Sequence, residues 1–175
     1  MEFFEVISTR RSTRAWQARD VERDRLEKVL AVANMAPSAG DLQAYEIVVV
    51  RHATTKASLA AAAHDQAFIA EAPVVLVFFA DPSRSAARYE ARGERLFSIQ
   101  DATIAASHAQ LAATALGLAS CWVGSFDDRR MAQTLGAPAE IRPVCMLAIG
   151  YAAERPERTS RRPLSDLTHD ETFRR

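Results

Sequence analysis

The chain is poor in the residues that build metal centres and nucleotide-binding motifs. Its two cysteines, Cys121 and Cys145, sit in apolar runs with no Cys-x-x-Cys spacing, which predicts buried, reduced thiols. The four histidines, His52, His64, His108 and His169, show no ligand spacing, so no metal is expected. There is no Gly-x-Gly-x-x-Gly, no Gly-Lys-Ser/Thr pair and no Gly-x-Ser-x-Gly. Rossmann, P-loop and hydrolase-elbow readings lose their main support with them.

Excess charge is lacking too: 22 basic residues meet 22 acidic ones, which excludes the overall footprint of a nucleic-acid binder. Lysine is almost absent, with Lys28 and Lys56 alone, so arginine carries the local positive clusters. The first residues, Met1 to Glu5, show no basic stretch followed by an apolar core. No secretory signal is expected, and a cytoplasmic protein is. The stretch 102–120 is free of Asp, Glu, Lys and Arg, but it is alanine-rich and holds Thr103, Ser107, His108, Gln110 and Thr114. It reads as a buried helix rather than a membrane span.

What is present suffices for a core. A length of 175 residues with 49% hydrophobic side chains predicts one domain over 1–175. Helical spacing marks residues 3–8 and 22–35, and an alanine-rich helix is expected at 54–63. Residues 45–50 read as a strand. The continuous apolar run 73–80 reads as a central strand covered on both faces. Residues 84–95 alternate charge with alanine, as an exposed helix or flap does. A long helix over 101–118, a strand at 120–123, a helix at 127–135 opened by an acidic cap, and a last strand at 143–149 follow. Over residues 152–163 the composition turns basic and apolar side chains nearly vanish, predicting a segment that lies on the surface or wraps around a partner.

Four segments could carry chemistry. Arg10-Arg11-Ser12-Thr13-Arg14 offers three guanidinium forks and two hydroxyls, suited to a phosphate, although composition alone equally describes a solvated basic turn. Residues 36–43 form a small-residue helix exit whose Asp41 and Gln43 could read the polar edge of a flat ligand, or simply connect helix to strand. In Trp122-Val123-Gly124-Ser125-Phe126-Asp127 a strand ends before a helix, leaving backbone amides for a ligand or for a cap. Arg158-Thr159-Ser160-Arg161-Arg162 is a second arginine cluster or a charged tail. No protein nucleophile is evident, which suits chemistry carried by a cofactor.

In this order and register the segments resemble the nitroreductase family. Its members show Arg-Arg-Ser-x-Arg, Ala-Pro-Ser-x-x-Asn-x-Gln-Pro-Trp, a central helix ending in Gly-Leu, Trp-x-Gly, Ile-Gly-Tyr and a basic tail. Here these positions read Arg10 to Arg14, Ala36 to Gln43, Gly117-Leu118, Trp122-Val123-Gly124, Ile149-Gly150-Tyr151 and Arg161-Arg162-Pro163-Leu164. The likeness spans practically the whole chain. Two departures stand out: Asp41 replaces the usual asparagine, and Ala44-Tyr45 replaces Pro-Trp. A carboxylate cannot donate to a flavin carbonyl, so Asp41 is expected to pair with an arginine or accept from a ribityl hydroxyl.

The resemblance implies an α+β fold, an α/β sandwich with a mostly antiparallel sheet flanked by helices, in an intertwined homodimer with residues 152–175 wrapping the partner. It implies FMN at the subunit interface. Arg10 and Ser12 would hold its phosphate with Arg161 or Arg162, and Arg11 would share those contacts. Arg14 would face the pyrimidine edge and stabilise the charge of the reduced flavin. Pro37, Ser38, Ala39, Asp41 and Gln43 would come from the other subunit, while the backbone of Gly124 and Ser125 approaches flavin N5. NAD(P)H would donate two electrons, by a ping-pong mechanism, to a small acceptor such as a nitroaromatic, quinone or enone, with residues 85–97 as the substrate flap. The alternatives are a flavin-destroying or dehalogenating relative and an FMN-storage protein without turnover.

Overall fold

The computed structural model describes residues 1–173; Arg174 and Arg175, the end of the expected 152–175 extension, lie outside the described residues. In chain order the elements are α1 (Phe3–Thr9), α2 (Arg23–Asn34), β1 (Tyr45–Val50), α3 (Ala53–Ala62), α4 (Ala67–Glu71), β2 (Val74–Ala80), α5 (Pro82–Arg92), α6 (Ser98–Ala115), β3 (Ala119–Val123), α7 (Asp128–Leu135) and β4 (Arg142–Gly150). A π turn, Gly93–Phe97, joins α5 to α6, and short 3-10 turns cover Ala39–Asp41 and Leu164–Asp166. The strands form a sheet of order β1-β2-β4-β3 in which every pairing is antiparallel. This is the α+β architecture implied by the resemblance.

Alternation along β2 explains the layers. Its residues are all buried, as the continuous apolar run requires of a strand covered twice. Val74, Leu76 and Phe78 join Leu147 and Ile149 of β4 beneath α2 and α6. Val75, Val77 and Phe79 point the other way, with Met146 and Ala148, toward Leu59 of α3, Phe68 and Ile69 of α4 and Met131 of α7. The buried face of α6 is almost entirely alanine, with Ala102, Ala105, Ala106, Ala109 and Ala113 fully covered. Such small side chains let the helix lie close to the sheet.

The differences from expectation have local causes. Helix α6 starts at Ser98, because the π turn feeds directly into it, and stops at Ala115, before Gly117 takes the left-handed conformation (φ 74°). Helix α4, with five residues, is too short to show a periodicity and was not expected. The β2–β4 register shifts between Phe78 and Phe79, opposite Pro143, which has no amide to give the ladder. Segment 84–95 is indeed mostly exposed helix, but α5 breaks at Glu90 (φ 49°) and the chain folds back so that Gly93 packs on Ser85. A Cβ at Gly93 would lie 2.4 Å from the Ser85 carbonyl oxygen, so only glycine closes this turn.

The entry to α2 is tied to the end of β4 by a small polar knot. Glu22 accepts from the Tyr151 hydroxyl at 2.5 Å and from Arg19 at 2.5 Å, while the Arg19 guanidinium lies 3.8 Å from the centroid of the Tyr151 ring. The Tyr151 bond above all, with backbone and Arg19 help, lowers the Glu22 pKa to about 2. A carboxyl whose folded pKa is depressed stabilises the fold above its unfolded value, about 4.3, and loses that contribution as pH falls toward 2. Glu22→Gln is therefore expected to melt below the wild type at pH 7, with the two melting curves converging as pH is lowered from 5 toward 2.

Candidate functional site

The arginine segment is held by its backbone, which leaves its side chains available. After α1 the chain becomes extended, and Thr13 N donates to Ser120 O of β3 at 3.0 Å. On the other side Glu154 Oε1 accepts from Arg14 N at 2.6 Å and Ala15 N at 3.1 Å, while Ala153 N donates to Ala15 O at 2.9 Å. The start of the C-terminal segment thus zips against residues 14 and 15. Past that point it turns, and residues 156–161 face the arginines.

The result is a cleft of about 510 Å³ lined by Ser8, Arg10, Arg11, Ser12, Arg14, Glu157, Arg158, Thr159 and Arg161, with Ile7 and Pro156. Five arginines from opposite ends of the chain line it, beside a single acidic residue, Glu157. Two of the five are partly engaged: Arg11 donates to Ser8 O and Arg10 O at 2.8 Å, and Arg161 folds onto Thr159 and Ser160. Arg14 is exposed, with its guanidinium 5.7 Å from the Phe68 ring centroid. Arg162 stands outside the cleft and donates to Asp166 O at 2.8 Å. Behind the cluster lies Cys121, whose thiol is pushed up by burial, against the pull of Arg14 and Arg10. Cys145 is pushed up to about 12 by burial alone. Neither is a nucleophile in this state.

The second expected segment lines a different cleft, of about 480 Å³, formed by Pro37, Ser38 and Ala39 with Phe97, Ile99, Gln100, Asp101, Thr103 and Ile104. Its walls are largely apolar. The loop behind it is closed on itself: Ser38 Oγ accepts from Gln43 N at 3.0 Å and Nε2 at 3.2 Å, and Gln43 Nε2 also donates to Asp41 at 2.5 Å. Among the described residues Asp41 accepts from Gln43, and no arginine forms an ion pair with it. From α5, Arg84 Nε reaches Leu42 O and Arg88 donates to Gly40 O at 3.1 Å. Tyr89 packs so closely that a Cβ at Gly40 would lie 2.5 Å from its hydroxyl. The segment expected as a flap therefore rests on this loop, and its end, Phe97, walls the cleft.

Gly124 and Ser125 follow β3 and line neither cleft. The cap of α7 is made by Asp127, which accepts from Arg130 N at 2.9 Å. Among the described residues no three His, Cys, Asp or Glu side chains gather as a metal set, and no helix is long and apolar enough to cross a membrane. Three residues of this region escaped the sequence reading. Arg158 sat in the right cluster without an assigned role. Glu154 had as its signal only a carboxylate opening a basic stretch. Asp101 had none beyond starting a helix otherwise free of charge.

Comparison with known proteins identifies the family. The family model described as Nitroreductase family matches residues 7–151. An NADH dehydrogenase of Thermus thermophilus is 35% identical, over 89% of this chain and 89% of its own. Among solved structures, nitroreductase A of Vibrio parahaemolyticus superposes with TM-score 0.91 at 25% identity, covering 99% of this chain and 77% of that one. An FMN-dependent nitroreductase of Clostridium difficile does so with TM-score 0.81 at 28% identity, covering 97% and 99%. With most of its length matched by the family model and the same fold throughout, this chain belongs to the nitroreductase family.

Proposed function

We propose that the chain is an NAD(P)H-dependent FMN oxidoreductase, acting as a homodimer whose two flavin sites are each built from both subunits. The observation that carries this is the convergence of Arg10, Arg11, Arg14, Arg158 and Arg161 on one cleft with Ser12. Those donors fit FMN: a phosphate dianion needs forked cationic donors and hydroxyls. The cleft volume also lies in the range of about 300–1,000 Å³ usual for cofactor sites. The Thermus thermophilus relative is an NADH dehydrogenase and the Clostridium difficile nitroreductase is FMN-dependent, which supports NAD(P)H as donor and FMN as cofactor here.

In this reading Arg10, Arg11 and Ser12 would hold the phosphate, helped from the tail by Arg161 or Arg162, and Arg14 would supply positive charge along the flavin edge. Bound FMN would supply the chemistry, a two-electron relay between NAD(P)H and a small acceptor of the ping-pong kind. The residues bind and orient the flavin and exclude water from it. Pro37, Ser38, Ala39, Asp41 and Gln43 would serve the partner's flavin, while the backbone of Gly124 and Ser125 would approach N5 of the chain's own flavin. Two features favour this sharing. Within one chain the arginine cleft and the Pro37–Ala39 cleft have no lining residue in common. Large apolar side chains are also left bare at both chain ends, Phe4 83%, Leu164 75% and Phe173 85% exposed. The chain is one domain in this proposal, with its last residues crossing to the partner. Two buried, unbridged cysteines suit the cytoplasm as its compartment.

Purified protein is expected to show flavin absorbance at about one FMN per chain, to sediment as a dimer, and to reduce its flavin with NAD(P)H far faster than free FMN reacts. A monomer that still binds FMN tightly would overturn the shared site. Reduction no faster than that of free FMN would overturn the enzyme reading and leave a storage protein.

A further inference from the structure

Asp101 lies in the first turn of α6 with 2% of its surface exposed, and its two carboxylate oxygens serve two separate amides. Oδ1 accepts from Ala39 N at 2.9 Å, and Oδ2 accepts from Ala44 N at 3.3 Å. Those amides bracket residues 40–43, of which Gly40, Asp41 and Gln43 have φ of 60°, 58° and 44°. Left-handed backbone is unfavourable for residues with a Cβ unless the surroundings impose it. A buried carboxylate in turn is tolerated only where donors reach its oxygens. Each requirement is met by the other. The outer side of the loop is held by Arg84 and Arg88 at the carbonyls of Leu42 and Gly40. Asp101 also lines the apolar cleft alongside Pro37, Ser38 and Ala39.

From this juxtaposition we infer that Asp101 is a positioning residue: its carboxylate sets the shape of the 37–44 loop and, through it, the surface that the loop offers to the flavin. The second clause rests on the function proposed above; the first does not. An asparagine of the same shape has one acceptor oxygen and one NH₂. It can satisfy only one of the two amides and turns a donor toward the other.

Amide hydrogen exchange separates the two clauses. In the native protein the amides of Ala39 and Ala44 are expected to exchange as slowly as those inside α6, and finding them unprotected would overturn the inference without any variant. In Asp101→Asn, exchange of residues 36–45 is expected to rise at least about tenfold, with β2 unchanged, and Asp101→Glu, which keeps two acceptor oxygens, recovers part of the protection. With flavin bound, Asp101→Asn is expected to lower the rate of flavin reduction about tenfold while FMN affinity, set by the arginine cleft, holds. Unchanged exchange in Asp101→Asn overturns the positioning role whatever the kinetics. Raised exchange with wild-type reduction keeps the loop role and removes the loop from the flavin, a failure of the site proposal instead.

Discussion

Replacing Arg14 with glutamine is expected to slow reduction of bound flavin by NAD(P)H about a hundred-fold, the scale of losing one fixed donor aimed at developing charge, while most of the FMN stays bound. Arg10→Ala is expected to do the reverse, weakening FMN about tenfold to a hundred-fold as a charged hydrogen bond is lost, with reduction of the retained flavin little changed. The division follows from where the two stand. Arg10 sits half-buried at the end of α1, next to Ser12 and facing the tail. Arg14 stands at the other end of the segment, its N–H held by Glu154, its neighbour Thr13 bonded to Ser120 of β3, and its guanidinium near Phe68. Among the described residues no carboxylate forms an ion pair with the Arg14 guanidinium. Stopped-flow absorbance of the flavin and equilibrium dialysis measure the two quantities separately. Equal loss of FMN in both variants would mean that the roles are not divided.

How far the sequence foretold this molecule depends on the range of the forces involved. The buried run of β2 and the alanine stripe of α6 were readable because burial on two faces leaves an uninterrupted apolar pattern. Helix α4 was not, since five residues cannot display a period. The arginine segment was ambiguous on its own chemistry. Its partners Arg158 and Arg161 lie some 150 residues away in the chain, and only folding shows that they share its cleft. Glu154 and Asp101 were invisible for a related reason. Each acts by accepting backbone amides, of Arg14 and Ala15 in one case and of Ala39 and Ala44 in the other. A backbone amide leaves no trace in residue identity. Asp41 was legible only as an acceptor for an arginine or a ribityl hydroxyl, and the tight turn of its own loop brings Gln43 to it as well.

The largest effect on stability is expected at Phe78. Phe78→Ala should cost about 3–5 kcal/mol, a large part of the roughly 5–15 kcal/mol that holds a domain folded. Its ring is 0% exposed and belongs to the cluster that joins β2, β4, α2 and α6. The void cannot close easily. On one side the strand is pinned by ladders to both β1 and β4. On the other, α6 already lies close through alanines that have no length to extend into the gap. Val49→Ala is the contrast: that side chain is 40% exposed on the edge strand, and its loss should stay within about 0.5 kcal/mol, as surface changes do. Urea unfolding at one fixed protein concentration, with FMN present in equal excess, compares the three proteins without mixing in dimer dissociation or ligand release. A Phe78→Ala midpoint close to that of Val49→Ala would show that α6 can settle onto the sheet, and that the alanine face is not the rigid wall described above.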